Sequence, residues 1–420
     1  MGKQNRRRRT GRRAGPTTGP VLDAETLADP ARLAEAIATA AGAAAQGDAA
    51  GVRRFVAQLA GTGPVRPEVA AGVESAGRRI IAHAFDFGWL PGDVHQAARR
   101  RLDEFAVGYL TDLMADHRAR FADDTVDEIW QAQLDELGAT VWWTPPHLTA
   151  WADRALLTGA EAVTTVVAAL GLLLRLPKLE PIRPLPGTAR RHRTAQHDVD
   201  AKALGRVRGL LAKAESTAFP EEAETLSAKA QELMTKYAID RVLLETPTVD
   251  SDLPGARRLW LDTPYTEAKA LLIDLVARAN RCRAIFVADW DFVTVVGEDP
   301  DLDAVELLST SLLVQATRAM IDTPSAAADS RSRAYRKAFL TAYATRIGDR
   351  LTTAAATTVA ASPDPTTLLP LLASHDLRVE QAFTTYFPTT RARGITIRSA
   401  EGWDAGTEAA DRARLGDHRP

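Results

Sequence analysis

The chain has 420 residues, 45% of them hydrophobic and 25% charged, with a formal net charge of −2. That is ordinary globular composition, with apolar material for two or three domains. Its single cysteine, Cys282, excludes an internal disulfide framework and makes a reducing, cytoplasmic compartment the simplest expectation.

The net charge hides an asymmetry. Lys3, Arg6, Arg7, Arg8, Arg9, Arg12 and Arg13 all precede the first acid, Asp23. Setting these seven aside leaves 45 basic against 54 acidic side chains, a net charge of −9. A basic arm on an acidic body suits contact with nucleic acid or an anionic surface through the arm, and not through the body as a whole. Residues 1–20 offer almost nothing to bury and are expected to be disordered. No apolar segment follows the basic start, so no secretory signal is read. The most apolar stretch, Val163 to Leu174, falls short of the roughly 20 residues a spanning helix needs and reads as a buried helix. No membrane partner is expected.

Residues 25–176 read as a helical bundle. Leu27, Leu33, Ile37 and Ala41 fall at helical spacing, with Asp29 as a candidate N-cap and Pro30 at the first helical position. Further periodic stretches run from Pro67 to His83, from Asp93 to Arg118 (Leu102, Phe105, Tyr109, Leu113) and from Asp123 to Leu137 (Val126, Ile129, Trp130, Leu134). Residues 177–197 form a linker. Its four prolines, Pro177, Pro181, Pro184 and Pro186, forbid a helix and favour a stiff extended spacer, followed by the basic Arg190, Arg191 and Arg193.

Residues 198–245 form a helical hairpin. Its first helix would bury Val199, Ala203, Val207, Leu210, Leu211 and Ala214; Ser216 and Thr217 break it; Pro220 with Glu221, Glu222 and Glu224 starts the second, which would bury Leu226, Ala230, Leu233 and Tyr237. Residues 256–416 read as an α+β module. Short strands are predicted at Arg257–Leu261, Cys282–Val287 and Phe292–Val296, with a helix capped by Thr263 and Pro264 and running to Arg281. Two long helices, roughly 301–321 and 331–361, flank the small polar loop Thr323–Ser330. The expected arrangement is a small antiparallel sheet covered by helices on one side. A last strand candidate, Ile395–Arg398, and a Gly-rich helical tail from Gly402 to Leu415 complete a mainly α chain.

The hairpin carries a resemblance. Lys202, the run Leu210-Leu211-Ala212-Lys213-Ala214-Glu215-Ser216-Thr217, then Pro220-Glu221-Glu222-Ala223-Glu224, then Lys229-Ala230-Gln231-Glu232-Leu233-Met234 and Tyr237 resemble the bacterial and phage domain of unknown function 2786 family. The region from 256 onward, through Val296-Gly297, Arg331 to Arg350, and Gly402-x-x-Ala405-Gly406-x-x-Ala409-Ala410, resembles its usual C-terminal partner domain. The resemblance implies no established activity.

Lys202, Arg206 and Lys213 lie on one helical stripe with Gly209 between them, where a phosphate backbone could dock; a solvated helix face accounts for the same pattern. Arg331, Arg333, Arg336, Lys337 and Arg346 alternate with Tyr335, Phe339 and Tyr343. That pattern suits stacking of single-stranded bases, or a core face with a solvated back. Metal ligation has little support: His192 and His197 are five apart, His375-Asp376 reads as a helix end, and no HExxH or CxxC occurs. No GxSxG, Walker A or GxGxxG motif implies a nucleophile or a cofactor, and none is expected. The acids Glu298, Asp299, Asp301, Asp303 and Glu306 span a turn and a helix start, where they complement the helix dipole. The favoured reading is a non-enzymatic protein associated with DNA or RNA through Arg6, Arg7, Arg8, Arg9, Lys202, Arg206, Lys213, Arg333, Arg336 and Lys337. The alternatives are a hydrolase with a metal-assisted or acidic site in the C-terminal module, and a protein–protein adaptor docking through the N-terminal bundle.

Overall fold

The computed structural model describes residues 22–59, 64–189, 197–217, 220–244, 253–322, 332–389 and 399–412. They fall in two compact units, Met1–Arg191 and His192–Pro420. The arginine arm with Arg6, Arg7, Arg8 and Arg9, the linker residues Arg190 to Arg193, the loop Thr323–Ser330 and the strand candidate Ile395–Arg398 lie outside the described residues.

The first unit is all helical among its described residues: α1 (Ala24–Ala28), α2 (Pro30–Ala45), α3 (Ala49–Leu59), α4 (Pro67–Asp86), α5 (Pro91–Arg99), α6 (Glu104–Arg118), α7 (Glu128–Glu136), α8 (His147–Arg154) and α9 (Gly159–Arg175). Asp29 caps α2 by accepting from the Ala31 amide, and Pro30 takes the first helical position. The stretch expected as one helix from Asp93 to Arg118 is two. Asp103 accepts a 2.8 Å bond from the Ala106 amide and starts α6 afresh, so local capping overrides a continuous apolar period. Likewise a 3₁₀ turn, Asp123–Thr125, precedes α7, which Asp127 caps. The apolar stretch forms α9, whose Val163, Val166, Val167, Leu170 and Leu173 pack into the core against α2 and α4. Among the described residues no single helix is long and apolar enough to cross a membrane; α8 and α9 pass that test only as a pair bent by 111°.

The proline-rich stretch is no helix, yet it is not a free spacer along its described length. Trp89 Nε1 donates to the Pro177 carbonyl at 2.8 Å, the Leu179 amide to Phe87, and the Gly187 amide to Thr125 at 2.9 Å. Ile182 is buried in the same unit.

The second unit holds α10 (His197–Ser216), α11 (Pro220–Leu244), β1 (Gly255–Trp260), α12 (Thr266–Ala279), β2 (Arg283–Val287), β3 (Phe292–Gly297), α13 (Asp299–Asp322), α14 (Arg333–Ala360), α15 (Pro365–Tyr386) and α16 (Ala400–Arg412). The strands form one antiparallel sheet of order β1-β3-β2, with Trp260 opposite Phe292 and Arg283 opposite Val296. Every residue of β3 is buried, so the sheet is covered on both faces, not one. Val293 and Val295 join the core built by α12 and α13. On the other face Arg283, in register with Val296, lies 5.0 Å over the Phe383 ring of α15. The helix expected from Thr263 starts instead after Tyr265, which is left-handed (φ 68°) and cannot continue a right-handed helix backwards.

One core joins the hairpin to the rest of this unit. Val207, Leu211, Ala230 and Met234 pack with Leu272, Val276, Leu308, Phe339 and Tyr343, with Leu210 and Leu233 at its edge. The Gly-rich helix α16 lies directly on α14. A Cβ at Gly402 would fall inside contact distance of the Tyr335 carbonyl oxygen, and one at Gly406 of the Phe339 carbonyl oxygen. Only glycine allows two helix backbones that close.

Leu211 is 3% exposed, so Leu211→Ala should cost about 2–5 kcal/mol, read as a lower denaturation midpoint for the second unit. An unchanged midpoint would mean the hairpin docks by another face.

In the first unit His117 sits among Phe85, Phe121 and Trp130. Burial, helped by Arg120 and opposed by Asp116 and Asp86, pushes its imidazole down to about 4. The unfolded chain takes up that proton near pH 6.5 and the folded unit does not. Stability from the neutral ring is therefore present above pH 6.5 and lost as pH falls toward 4, by on the order of 2–3 kcal/mol. His117→Phe should flatten the loss in denaturant titrations across that window. An equally steep loss in the variant would assign the effect to other groups.

Candidate functional site

The hairpin presents its inner face to the core and its outer face to solvent. On α10 the residues Lys202, Gly205, Arg206, Gly209, Ala212 and Lys213 are all exposed, as is Arg208 between them. They recur at three- and four-residue intervals, so they share one helix face, and no acid stands among them. Lys213 is engaged across the hairpin turn by Glu222 at 2.9 Å, and Thr217 donates to the same carboxylate at 2.7 Å. Those bonds, that of Lys213 first, hold the Glu222 carboxyl below its ordinary range. Arg206 donates to the Tyr237 hydroxyl at 3.1 Å. That bond uses one of five guanidinium donors.

The structure does not gather the remaining expected residues here. Arg333 and Arg336 are exposed on the first turn of α14, and no described contact joins them to α10. Lys337 forms an ion pair with Glu267 of α12. Tyr335, Phe339 and Tyr343 are 4%, 0% and 2% exposed, so these rings are core and present no platform on which a base could stack. His192 lies outside the described residues. His375 is buried within α15, not at a helix end as the sequence suggested, because the helix continues to Tyr386.

The acidic run after β3 is divided among arginines from three elements. Asp303 and Glu306 hold Arg257 of β1 at 2.6 and 2.7 Å. Glu298 lies 3.3 Å from Arg378 of α15. Asp301 pairs with Arg241 of α11 at 2.7 Å, with side chains only 12% and 9% exposed. Burial pushes the Glu298 carboxyl above its ordinary range, against the pull of Arg378, His375 and Arg241. Burial also pushes the Cys282 thiol well up, and Asp301 adds to it, so this cysteine stays neutral and is a poor nucleophile. Among the described residues no three His, Cys, Asp or Glu side chains converge as metal ligands. These carboxylates serve as anchors for helices, and nothing in their geometry resembles an acid–base pair.

Two polar contacts fix α11 that sequence periodicity did not reveal. Gln231, fully buried, exchanges amide bonds with Asn280 at the end of α12, at 3.0 and 3.3 Å. Ser227 accepts a 3.0 Å bond from Gln315 of α13. The signal available in sequence was polar residues at core positions of an amphipathic helix, which demand partners once buried.

Next to these contacts lies a cleft of about 810 Å³, walled by Thr235 and Ala238 of α11, the end of α12, the start of β2, and one face each of α14 and α15.

Because the Arg241–Asp301 pair is buried, removing one partner strands a charge. Arg241→Leu or Asp301→Leu alone should cost about 3–5 kcal/mol, and the double variant should recover much of that loss in chemical denaturation. A double variant no better than the worse single would show that the pair does not balance as a unit.

Comparison with known proteins finds the hairpin and little else. No curated protein matches the chain, and no solved structure does. Residues 202–241, about a tenth of the chain, match a family described as a protein of unknown function (DUF2786), a segment that opens on the exposed Lys202 and closes on the buried Arg241.

Proposed function

We propose that this is a non-enzymatic protein that associates with nucleic acid, using the outer face of α10 together with the basic N-terminal arm. The observation that carries the reading is the composition of that face. Gly205 and Gly209 sit inside a helix, where each costs about 1 kcal/mol relative to alanine. A Cβ at either position would meet nothing within 4 Å, so no contact among the described residues asks for glycine there. Bare backbone between Lys202, Arg206, Arg208 and Lys213 lets a sugar–phosphate backbone approach closely, each cation replacing a counterion. Phosphate contacts of this kind position a partner without reading its bases, so binding would be weak in sequence preference and strong in salt dependence. With the α14 aromatics buried, base stacking has no part in it. The module from residue 256, sharing a core with the hairpin, would be the family's customary C-terminal partner domain. The hydrolase alternative is disfavoured, since the acids it would need are held by arginines. The adaptor alternative retains one observation: the first unit exposes Trp142, capped by Arg154 at 4.4 Å, and Leu156, 92% exposed and left-handed.

The test is electrophoretic and fluorescence titration with single- and double-stranded DNA and RNA across 50–200 mM salt. The full chain should bind with a log–log salt slope of about −0.9 per phosphate neutralised on a duplex. Deleting residues 1–15 should remove most of the affinity. Lys202→Glu with Arg206→Glu should remove what survives, and Gly205→Leu with Gly209→Leu should weaken it without any charge change. If the truncated chain binds none of these at 50 mM salt, the α10 face is not a nucleic-acid surface. A pull-down whose captured partners survive nuclease and are lost on Trp142→Ala would then favour the adaptor.

A further inference from the structure

We infer that the cleft between α11, α12, α14 and α15 is a binding site for a neutral, largely apolar small molecule. Its volume, about 810 Å³, lies in the range of small-molecule sites. Its shape follows from sequence. Thr352, Ala355, Ala356, Val359 and Ala360 form one face of the last turns of α14, and Leu369, Asp376, Val379 and Glu380 form the facing side of α15. Alanine and threonine are too short to fill the space between the two helices, and Ala238 leaves the α11 side equally shallow. The first half of α14 is packed through Tyr335 to Leu351, whereas none of residues 352–360 is fully buried. An apolar face of this kind gains by being covered.

The chemical class follows from the charges. Each charged side chain in the wall already faces an opposite charge of this same unit. Arg281 holds Asp376 at 3.0 Å, Arg283 holds Glu380, Arg278 holds Asp274 at 2.8 Å, and Asp301 holds the buried Arg241. Asn280 is occupied by Gln231 and by the Val276 carbonyl, and Thr352 donates to Gly348. A charged ligand would compete with these partners; a neutral one leaves all of them in place. Thr235, which accepts from Gln231, has a hydroxyl proton to offer to a single acceptor on the ligand. Such a site is independent of the basic α10 face, and the two stand or fall separately.

The test uses the full chain and two fluorescent probes, neutral N-phenyl-1-naphthylamine and anionic 1-anilinonaphthalene-8-sulfonate. The neutral probe should bind saturably at one site per chain, with an affinity unchanged between 50 and 500 mM salt. Ala356→Trp, at an exposed position, should weaken that binding at least tenfold while circular dichroism stays unchanged. Ala356→Ser should bind as the native chain does, which separates blocking from misfolding. No saturable binding, or binding that Ala356→Trp leaves intact, overturns the assignment of this cleft as a site. Tighter binding of the anionic probe, weakening with salt, overturns the neutral class.

Discussion

Arg241 and Asp301 meet at 2.7 Å where α11 crosses the start of α13, and the second unit is organised around that contact. Two charges taken out of water cost several kcal/mol each, and only close, fixed geometry offsets that cost. The helix that carries Arg241 is therefore not free to slide. Ten residues earlier on α11, about 15 Å along its axis, Gln231 exchanges amide bonds with Asn280. Two such contacts on one helix, one to α12 and one to α13, fix both its rotation and its translation. Apolar contacts through Leu211, Ala230 and Met234 supply the driving force but tolerate more variation in register. The charged pair and the amide pair are what make the docking of the hairpin specific.

Small residues serve two opposite ends along α14. Near its start the small residues belong to the partner: Gly402 and Gly406 let α16 settle on the carbonyls of Tyr335 and Phe339. Near its end they belong to α14 itself, where Ala355, Ala356 and Ala360 face Leu369 and Val379 across open space. Close approach requires one backbone to reach the other, and in the second case α15 is held away. Its anchors, Arg281–Asp376, Arg283–Glu380 and Arg378–Glu298, tie it to the sheet and to α13, and Leu368 and Leu372 pack on Ile239 and Val242 of α11. The spacing between α14 and α15 is set by those ties, and short side chains cannot close it.

Much of this was legible in the sequence. Periodicity and capping signals placed the hairpin, the helix starts at Pro30 and Pro67, and all three strands, because each is decided by neighbours within a few residues. Local signals also explain the misses nearby: Asp103 restarts a helix within an otherwise periodic stretch, and the left-handed Tyr265 delays the start of α12. What the sequence concealed was pairing over long separations. Asp301, Asp303 and Glu306 read as one acidic cluster, yet their partners come from residues 241 and 257, on different elements. Tyr335, Phe339 and Tyr343 stand four apart whether they face core or solvent, and the helices that cover them, from the hairpin, α12 and α13, come from far away in the chain. The second cover of the sheet was hidden because the helix that provides it lies some ninety residues further along the chain.

The matched segment has two faces of different composition. Inward, every feature has a partner: Leu211 in the core, Gln231 on Asn280, Arg241 on Asp301. Outward, a Cβ at either glycine of α10 would meet nothing within 4 Å among the described residues, and the glycines weaken the helix that holds them. A body carrying −9 without its arm would ordinarily scatter acids over an exposed helix face. Here Glu222 holds Lys213 at one end, and the exposed positions from Lys202 to Gly209 carry no acid. That face is opposite in sign to the body around it, a local positive potential that the net charge of the chain conceals.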